Sequence, residues 1–150
     1  MIPTSCIWLS SPERLFPTRK HSLPEWPKTR RIFARWAALA NGGFDSAYAC
    51  IHPVHHYPLC ERGAIRCYYI EKDGQVVAVA AIMREGADAS LEFVATAPGH
   101  RRQGLASGVC AAAIEDAFAR GAEIVTLRAG NEGTKELYTS LGFRIFNEAL

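Results

Sequence analysis

The sequence contains no long apolar run, since none approaches the roughly 20 residues that a membrane-spanning helix needs. The short apolar patch 7–9 has no basic segment before it and soon meets Pro12, a pattern unlike that of a secretory signal peptide. The sequence also has little excess of one sign of charge over the other. The net charge is only +2, which argues against nucleic-acid or anionic-membrane partners. We therefore predict a cytoplasmic protein with neither kind of partner.

Disulfides and metal clusters are not indicated either. The five cysteines are an odd number and are scattered, and a chain of 150 residues with 49% hydrophobic residues can build a core without covalent links. In the segment 50–60 the histidines and cysteines are irregularly spaced and interrupted by Pro53 and Pro58, which matches no common zinc pattern. We predict free thiols, no metal and a single domain over residues 1–150.

Proline is unevenly distributed, because seven of the eight prolines lie at or before Pro58. Five of them fall within residues 1–27, where long regular elements are disfavoured. We predict an irregular arm over 1–27 with at most a short helix at 12–16. We also predict a loop over 44–63, with room for a short helix at 45–50.

Hydrophobic periodicity gives a definite order of elements after the arm. Asp73-Gly74 lies between two β-rich runs, which is a strong hairpin signal. A hairpin followed by alternating strands and helices predicts an α/β protein with a mixed sheet. The predicted helices are 28–40, 104–120 and 132–141, and the predicted strands are 65–71, 75–84, 91–96, 123–129 and 143–146.

A basic turn with small residues, Arg101 to Ala106, stands between a predicted strand and a predicted helix. The first N–H groups of a helix have no internal partner, and the helix dipole favours negative charge there. Gly104 lets a phosphate approach the backbone closely. Neither the Gly-Lys-Ser/Thr ending of a Walker A loop nor a G-x-G-x-x-G fingerprint is present. The turn therefore predicts a phosphorylated ligand held by a different kind of loop.

The turn has the form R-x-x-G-x-A over residues 101–106, and one strand and one helix later comes Leu137-Tyr138-x-x-Leu141-Gly142-Phe143. These two motifs, in this order and behind a hairpin, resemble the GNAT superfamily of acyl-CoA-dependent N-acyltransferases. The resemblance covers residues 65–147. It implies a GNAT-like fold, with a mostly antiparallel sheet, splayed central strands and flanking helices, and it implies acetyl-CoA as the co-substrate.

The resemblance also implies a set of contacts with acetyl-CoA. Strands 91–96 and 123–129 would splay apart to admit the pantetheine arm, and the N–H near Val94 could stabilise the oxyanion. Asn131 would either bond the pantetheine or cap a helix, and His100 is expected at the surface or near the CoA phosphates. The implied contacts are Val94, Ala95, Thr96, Arg101, Arg102, Gln103, Gly104, Leu105, Ala106 and Asn131.

Two residues are candidate catalytic groups. Tyr138 could protonate the leaving CoA sulfur, as the resemblance implies, or could be a core aromatic residue on an apolar stripe. Glu92 is a carboxylate in an apolar run, which is unusual without a reason. It could deprotonate the attacking amine, directly or through water, or could be an exposed or salt-bridged strand residue. Alternation places Ser90, Glu92 and Val94 on one face of the strand and Leu91, Phe93 and Ala95 on the other.

The sequence thus predicts an acetyltransferase that acts on a small-molecule or peptide amine, but other functions stay open. One is a sensor that binds acyl-CoA without turnover. Another is a toxin that acetylates aminoacyl-tRNA, for which the basic residues between Arg14 and Arg35 give slight support. In the family, the segment containing His55, His56 and Tyr57 helps to wall the acceptor site. Because the arm lacks the family's first strand, a homodimer that completes the sheet also stays open.

Overall fold

The computed structural model describes residues 5–9, 26–42, 51–129 and 132–148. Strands and helices alternate along most of this length, which confirms the predicted α/β class. None of the helices in these ranges is long and apolar enough to cross a membrane. The helices are α1 (Arg30–Gly42), α2 (Pro53–Glu61), α3 (Leu105–Ala119) and α4 (Glu132–Ser140). The strands are β1 (Ser5–Leu9), β2 (Ile65–Lys72), β3 (Gln75–Glu85), β4 (Asp88–Thr96), β5 (Ile124–Ala129) and β6 (Arg144–Glu148).

The strands form one sheet in the order β2-β3-β4-β5-β1-β6. All neighbouring pairs are antiparallel except β4 and β5, which run parallel. The connection between this parallel pair contains α3, as a parallel pair requires. The hairpin predicted from Asp73-Gly74 joins β2 to β3, and its two turn residues have φ of 51° and 77°. Positive φ at both positions is typical of a type I′ turn, which suits the twist of the strands it joins.

Helices cover both faces of the sheet. α3 packs on one face through an apolar core that includes Leu105, Val109 and Ile114. α1 and α2 pack on the other face, where the rings of Phe33 and Trp36 stack at 5.6 Å and are buried. The Trp36 indole N–H donates to the carbonyl of Tyr68 at 3.0 Å, so that this buried polar group has a partner. Two cores therefore hold the sheet between two layers of helix.

A β-bulge in β4 changes which side chains face which layer. The register against β3 shifts within the strand, so that Phe93 and Val94 together oppose the single residue Ala80, and Phe93 has a left-handed φ of 55°. Phe93 packs in the core beside α1, whereas Val94 packs against the core beside α3. The predicted alternation is therefore wrong beyond Glu92. Phe93 does not share a face with Leu91, and Val94 does not share one with Glu92.

The irregular arm predicted over 1–27 is wrong for residues 5–9, which form β1. This strand lies inside the sheet, where Ser5 is opposite Ala129 of β5 and opposite Glu148 of β6. β1 contains no proline and can therefore donate to both neighbours along its length. The first strand, which the sequence analysis predicted to be missing, is therefore present. This removes one reason for expecting a second copy of the chain to complete the sheet. The helix predicted at 12–16 lies outside the described residues.

The loop predicted over 44–63 is wrong for its second half, which forms α2. Pro53 stands at the start of this helix, where its fixed φ and missing N–H are tolerated, and Pro58 lies inside it. The helix suggested at 45–50 lies outside the described residues. The other predicted helices and strands are found within a few residues of their predicted ends.

Candidate functional site

A cavity of about 550 Å³ opens at the N-terminal end of α3. It lies between the end of β4, the basic turn, the first turn of α3 and one side of α4. Its size is within the range of about 300–1,000 Å³ that is usual for small-molecule sites. Most of the predicted acetyl-CoA contacts line it, namely Val94, Ala95, Thr96, Arg101, Arg102, Gly104, Leu105 and Ala106.

The basic turn presents backbone N–H groups to this cavity. Gly104 is the N-cap of α3, has a left-handed φ of 74° and makes no side-chain cap hydrogen bond. Its carbonyl accepts the first helical bond, from Gly108 N–H at 3.0 Å. Because a glycine cap cannot satisfy the N–H groups of the first helical turn, these groups remain available to an anion. Arg102 also has a positive φ, 62°, so the turn winds tightly around the helix start.

β4 and β5 separate where the cavity begins. Their parallel pairing covers only Asp88 to Ser90 on β4, opposite Ile124 to Thr126 on β5. Beyond Ser90 the two strands are no longer paired, although β4 continues to Thr96. This is the splay of central strands that the family resemblance implied. It leaves a gap beside Val94–Thr96 in which an extended, amide-containing ligand can lie against strand backbone.

Tyr138 lies on α4 and reaches the same cavity. Its side chain is 6% exposed, and its ring meets Phe143 edge-on at 5.9 Å. Its carbonyl accepts from both Leu141 and Phe143 N–H groups at 3.1 Å, and Gly142 has a φ of 104°. These bonds explain why the motif combines an aromatic residue, a glycine and a second aromatic residue at fixed spacing. The helix ends in a left-handed turn that folds Phe143 back onto the tyrosine.

The surroundings of Tyr138 affect the acidity of its hydroxyl. Burial raises the pKa of its hydroxyl well above the usual value, and the nearby Cys110 and Glu92 side chains act in the same direction. The hydroxyl is therefore protonated at neutral pH. Burial also raises the pKa of the Cys110 thiol to about 12, so this thiol stays neutral and unsuited to nucleophilic attack.

Glu92 is exposed and is not among the residues that line the cavity. It lies opposite Ala81 of β3, on the face of the sheet that α1 covers. Its charge nevertheless contributes to raising the pKa of Tyr138. Glu92 therefore acts on Tyr138 electrostatically from outside the cavity lining.

Two further predicted contacts lie elsewhere. Gln103 is exposed and does not line the cavity. Its side-chain oxygen accepts from Lys72 Nζ at 3.3 Å, which ties the basic turn to the end of β2. Asn131 lies outside the described residues.

Sequence reasoning missed several lining residues. Thr134 lies four residues before Tyr138 on α4, and helical spacing could have placed it on the same side. Leu39 and Gly42, at the end of α1, had no local signal because only the fold brings them to β4. His100 does line the cavity, in accord with one of the two placements expected for it.

The histidines of segment 50–60 have a structural role. The His52 imidazole caps α2 by accepting from His55 N–H at 3.4 Å, and His56 Nδ1 accepts from His52 N–H at 2.7 Å. Within the described residues no group of three His, Cys, Asp or Glu side chains could hold a metal ion. Cys60, Cys67 and Cys110 are free thiols.

Comparison with known proteins gives one family match. The sequence matches the model of the acetyltransferase (GNAT) family over residues 25–143. No curated protein matches the chain.

Several solved structures resemble the fold. A GNAT-family protein from Novosphingobium aromaticivorans superposes with a TM-score of 0.73 at 23% identity, over 98% of this chain and 61% of that one. A GCN5-related N-acetyltransferase from Kribbella flavida gives 0.73 at 22% identity, over 95% and 54%. The chain thus spans little more than half the length of these two proteins. An acetyltransferase-like protein from Clostridium acetobutylicum, solved with acetyl-CoA, gives 0.67 at 15% identity, over 85% and 94%. At these identities the likeness establishes the fold, which is that of GNAT acetyltransferases.

Proposed function

The chain belongs to the acetyltransferase (GNAT) family, and from this premise we propose that it transfers an acetyl group from acetyl-CoA to a primary amine. The amine belongs to a small molecule or to a peptide. Acetyl-CoA would occupy the cavity at the start of α3, with its pyrophosphate on the turn 101–106 and its pantetheine beside Val94–Thr96. The Clostridium acetobutylicum protein, which has the same fold, was solved with this molecule.

The observation that carries the proposal is the meeting of three features at one cavity. A helix start with the features of an anion site, the end of β4 where β5 no longer pairs with it, and a protonated, buried tyrosine all line it. Each alone has an ordinary structural explanation. Together they provide for the three parts of an acyl-CoA: the phosphates, the amide-containing arm and the thioester.

The chemistry proposed is direct transfer. The lone pair of the neutral amine attacks the thioester carbon, the carbon–sulfur bond breaks, and the Tyr138 hydroxyl donates its proton to the leaving sulfur. The nitrogen, which is positively charged after the attack, loses one proton to give the amide, and this proton returns through water to the tyrosine oxygen. An alkylammonium has a pKa of about 10.4 and must first lose a proton. Glu92 would accept it through water, or water alone would do so. The backbone N–H near Val94 would stabilise the oxyanion. No covalent enzyme intermediate is required, which agrees with a neutral Cys110 thiol.

The first test is ligand-dependent thermal stability. A ligand that binds only the native state stabilises it by about 2.7 kcal/mol at a hundredfold excess over its Kd. We expect acetyl-CoA to raise the melting temperature by several degrees. Free acetate at the same ionic strength should have no effect, since it lacks the phosphates and the pantetheine. No shift with saturating acetyl-CoA would overturn the proposal.

The second test separates an enzyme from a sensor. A panel of amines and N-terminal peptides is incubated with acetyl-CoA, and the released thiol is captured and measured. A transferase releases CoA with at least one amine at a rate above that with acetyl-CoA alone. Binding of acetyl-CoA without release from any amine would favour the sensor.

A further inference from the structure

A second basic cavity lies at the opposite end of α3. Its volume is about 550 Å³, and four of its lining residues are arginines contributed by different parts of the fold, with no carboxylate among the rest. With a rise of about 1.5 Å per residue, α3 separates this cavity from the basic turn by about 22 Å. It is therefore distinct from the proposed acetyl-CoA site. The arginines are Arg62, Arg66, Arg84 and Arg120.

One carboxylate holds two of these arginines in place. Asp116 Oδ2 accepts from the Nε atoms of Arg66 and Arg120, each at 3.1 Å. The hydroxyl of Tyr68 donates to the same oxygen. These contacts use the Nε atoms, and no hydrogen bond from the outer Nη groups to Asp116 is found within the described ranges. The side chain of Arg66 is only 16% exposed, and its Nη2 is buried without a hydrogen-bond partner in the structure described. A buried donor of this kind is uncommon and calls for an acceptor.

The preference of a helix C-terminus for positive charge explains only some of the four arginines at the end of α3. Cations are favoured at a helix C-terminus, and Arg84 meets that need by donating Nη1 to the carbonyl of Arg120. Its Nε donates to the carbonyl of Gly86 at 2.7 Å. Arg62 and Arg66 come instead from the turn before β2 and from β2 itself, and the helix end does not require them. Among the described residues, Asp116 is the carboxylate that contacts these arginines, and Glu61 lines the adjoining cavity.

We propose that this cavity is a binding site for a small anion that carries a phosphate group. Guanidinium ions match the planar, two-oxygen edge of a phosphate better than ammonium ions do. The Asp116 contacts fix Arg66 and Arg120 before a ligand arrives, which reduces the entropy lost on binding.

A neighbouring cavity has room for the rest of the ligand. It measures about 400 Å³, shares Arg62, Gly63 and Arg66 with the arginine cavity, and also contains Trp26 and Tyr57. The Arg66 guanidinium lies 4.0 Å from the centre of the Trp26 ring, and Trp26 is 42% exposed. An apolar or aromatic part of a phosphorylated small molecule can lie in this cavity beside the Trp26 and Tyr57 side chains while the phosphate meets the arginines.

Inorganic phosphate is the probe for a first test. ¹⁵N-labelled protein saturated with coenzyme A is titrated with phosphate at constant ionic strength set by sodium chloride. We expect the amide signals of Gly63, Ala64 and Gly121, which lie in or beside the arginine cavity, to shift along a saturating curve. The signals of Gly104 and Leu105 report separately on the helix start. The readout at the arginine end therefore holds whether or not coenzyme A binds as proposed.

Arg62→Gln is the diagnostic variant. Arg62 lies on an exposed turn and forms no ion pair within the described ranges, so its loss leaves the fold intact. We expect its Kd for phosphate to rise at least fivefold. Arg31→Gln removes the same charge from the exposed side of α1 and should leave the Kd unchanged. Shifts that fail to saturate, or equal Kd values for Arg62→Gln and Arg31→Gln, would overturn the proposal.

Discussion

The two ends of α3 hold positive charge in opposite ways. At its start Arg101 and Arg102 are exposed and form no ion pair within the described part of the chain, and the glycine cap leaves N–H groups unsatisfied. At its end Arg66 and Arg120 are fixed by Asp116. The cavities at the two ends have similar volumes, about 550 Å³ each.

The difference shows that charge alone does not define a site. At the start of the helix the backbone supplies N–H groups, and Arg101 and Arg102 lie exposed beside them. At the end of the helix the dipole disfavours anions, so positive side chains must outweigh it there. Under the two proposals, backbone groups would hold acetyl-CoA at the start, and arginines that the protein has already positioned would hold a phosphate at the end.

The largest expected effect comes from Tyr138→Phe at the start of the helix. Removal of a general acid lowers kcat by about 10²–10⁴-fold. The phenyl ring keeps the packing against Phe143, so acetyl-CoA should bind with unchanged affinity. Tyr68→Phe is the matched control at the other end, since it deletes a buried hydroxyl that contacts Asp116. It should lower stability and leave kcat unchanged. Thiol capture measures kcat in both variants. An unchanged kcat in Tyr138→Phe would show that this residue takes no part in the mechanism.

The next largest effect should come from Gly104→Val. A left-handed φ costs a branched residue about 1–2 kcal/mol, and the added side chain would lie where a phosphate must approach. We expect the acetyl-CoA affinity, measured by calorimetry, to fall at least about tenfold.

Gly86→Val is the matched control for the glycine. Gly86 has a φ of 60° with open space around it, in the turn between β3 and β4. This variant should be destabilised to a similar degree and yet bind acetyl-CoA normally. Equal losses of affinity in the two variants would mean that backbone strain, not the blocked approach, weakens binding.

At the other end, Asp116→Ala should mainly affect stability. It leaves the Arg66 and Tyr68 side chains without their shared acceptor, which costs about 1–3 kcal/mol. Glu115→Ala removes the same charge from an exposed position one residue earlier and should change stability by less than about 0.5 kcal/mol. Urea unfolding compares the two. If both variants lose the same free energy of unfolding, the Asp116 contacts contribute nothing measurable.

The smallest effect is on the pH dependence of stability. Burial works to raise the pKa of Asp116, but the hydrogen bond from Tyr68 and the charges of Arg66 and Arg120 outweigh it and lower this pKa. A carboxyl group with a lowered folded-state pKa contributes stability above its unfolded value, about 3.9, and loses it as the pH falls further. Asp116→Asn should therefore flatten the stability curve below about pH 4. A curve as steep as that of the unaltered protein would assign the acid sensitivity to other carboxyl groups.

The sequence predicted best what depends on neighbouring residues. The hairpin at Asp73-Gly74, the helix after Gly104 and the helix predicted over 132–141 all rest on local backbone chemistry. The bulge in β4 was missed because its cause lies in the pairing with β3, and alternation within β4 alone cannot reveal it. α2 was missed because Pro53 suggested a break, although proline is favoured where a helix begins.

The same distinction applies to the two cavities. Most of the residues that the motifs with fixed spacing singled out line the cavity at the start of α3. The arginine cavity has no motif, since Arg62, Arg66, Arg84 and Arg120 become neighbours only after β2, β3 and α3 have packed together. Glu92 lies between these two cases. Its place in an otherwise apolar strand could be seen in the sequence, but its position outside the cavity lining could not.

β1 makes the sheet depend on contacts between segments that lie far apart in the sequence. It pairs with β5 and β6, which follow it only after three other strands, so β1 cannot pair until those later segments have been synthesised. Contacts between such distant segments slow folding and prolong the exposure of unpaired strand edges. Removing residues 1–9 would delete an interior strand and expose the inner edges of β5 and β6 to intermolecular pairing. Removing β1, or fusing another protein next to it, therefore tests whether the remaining sheet stays soluble.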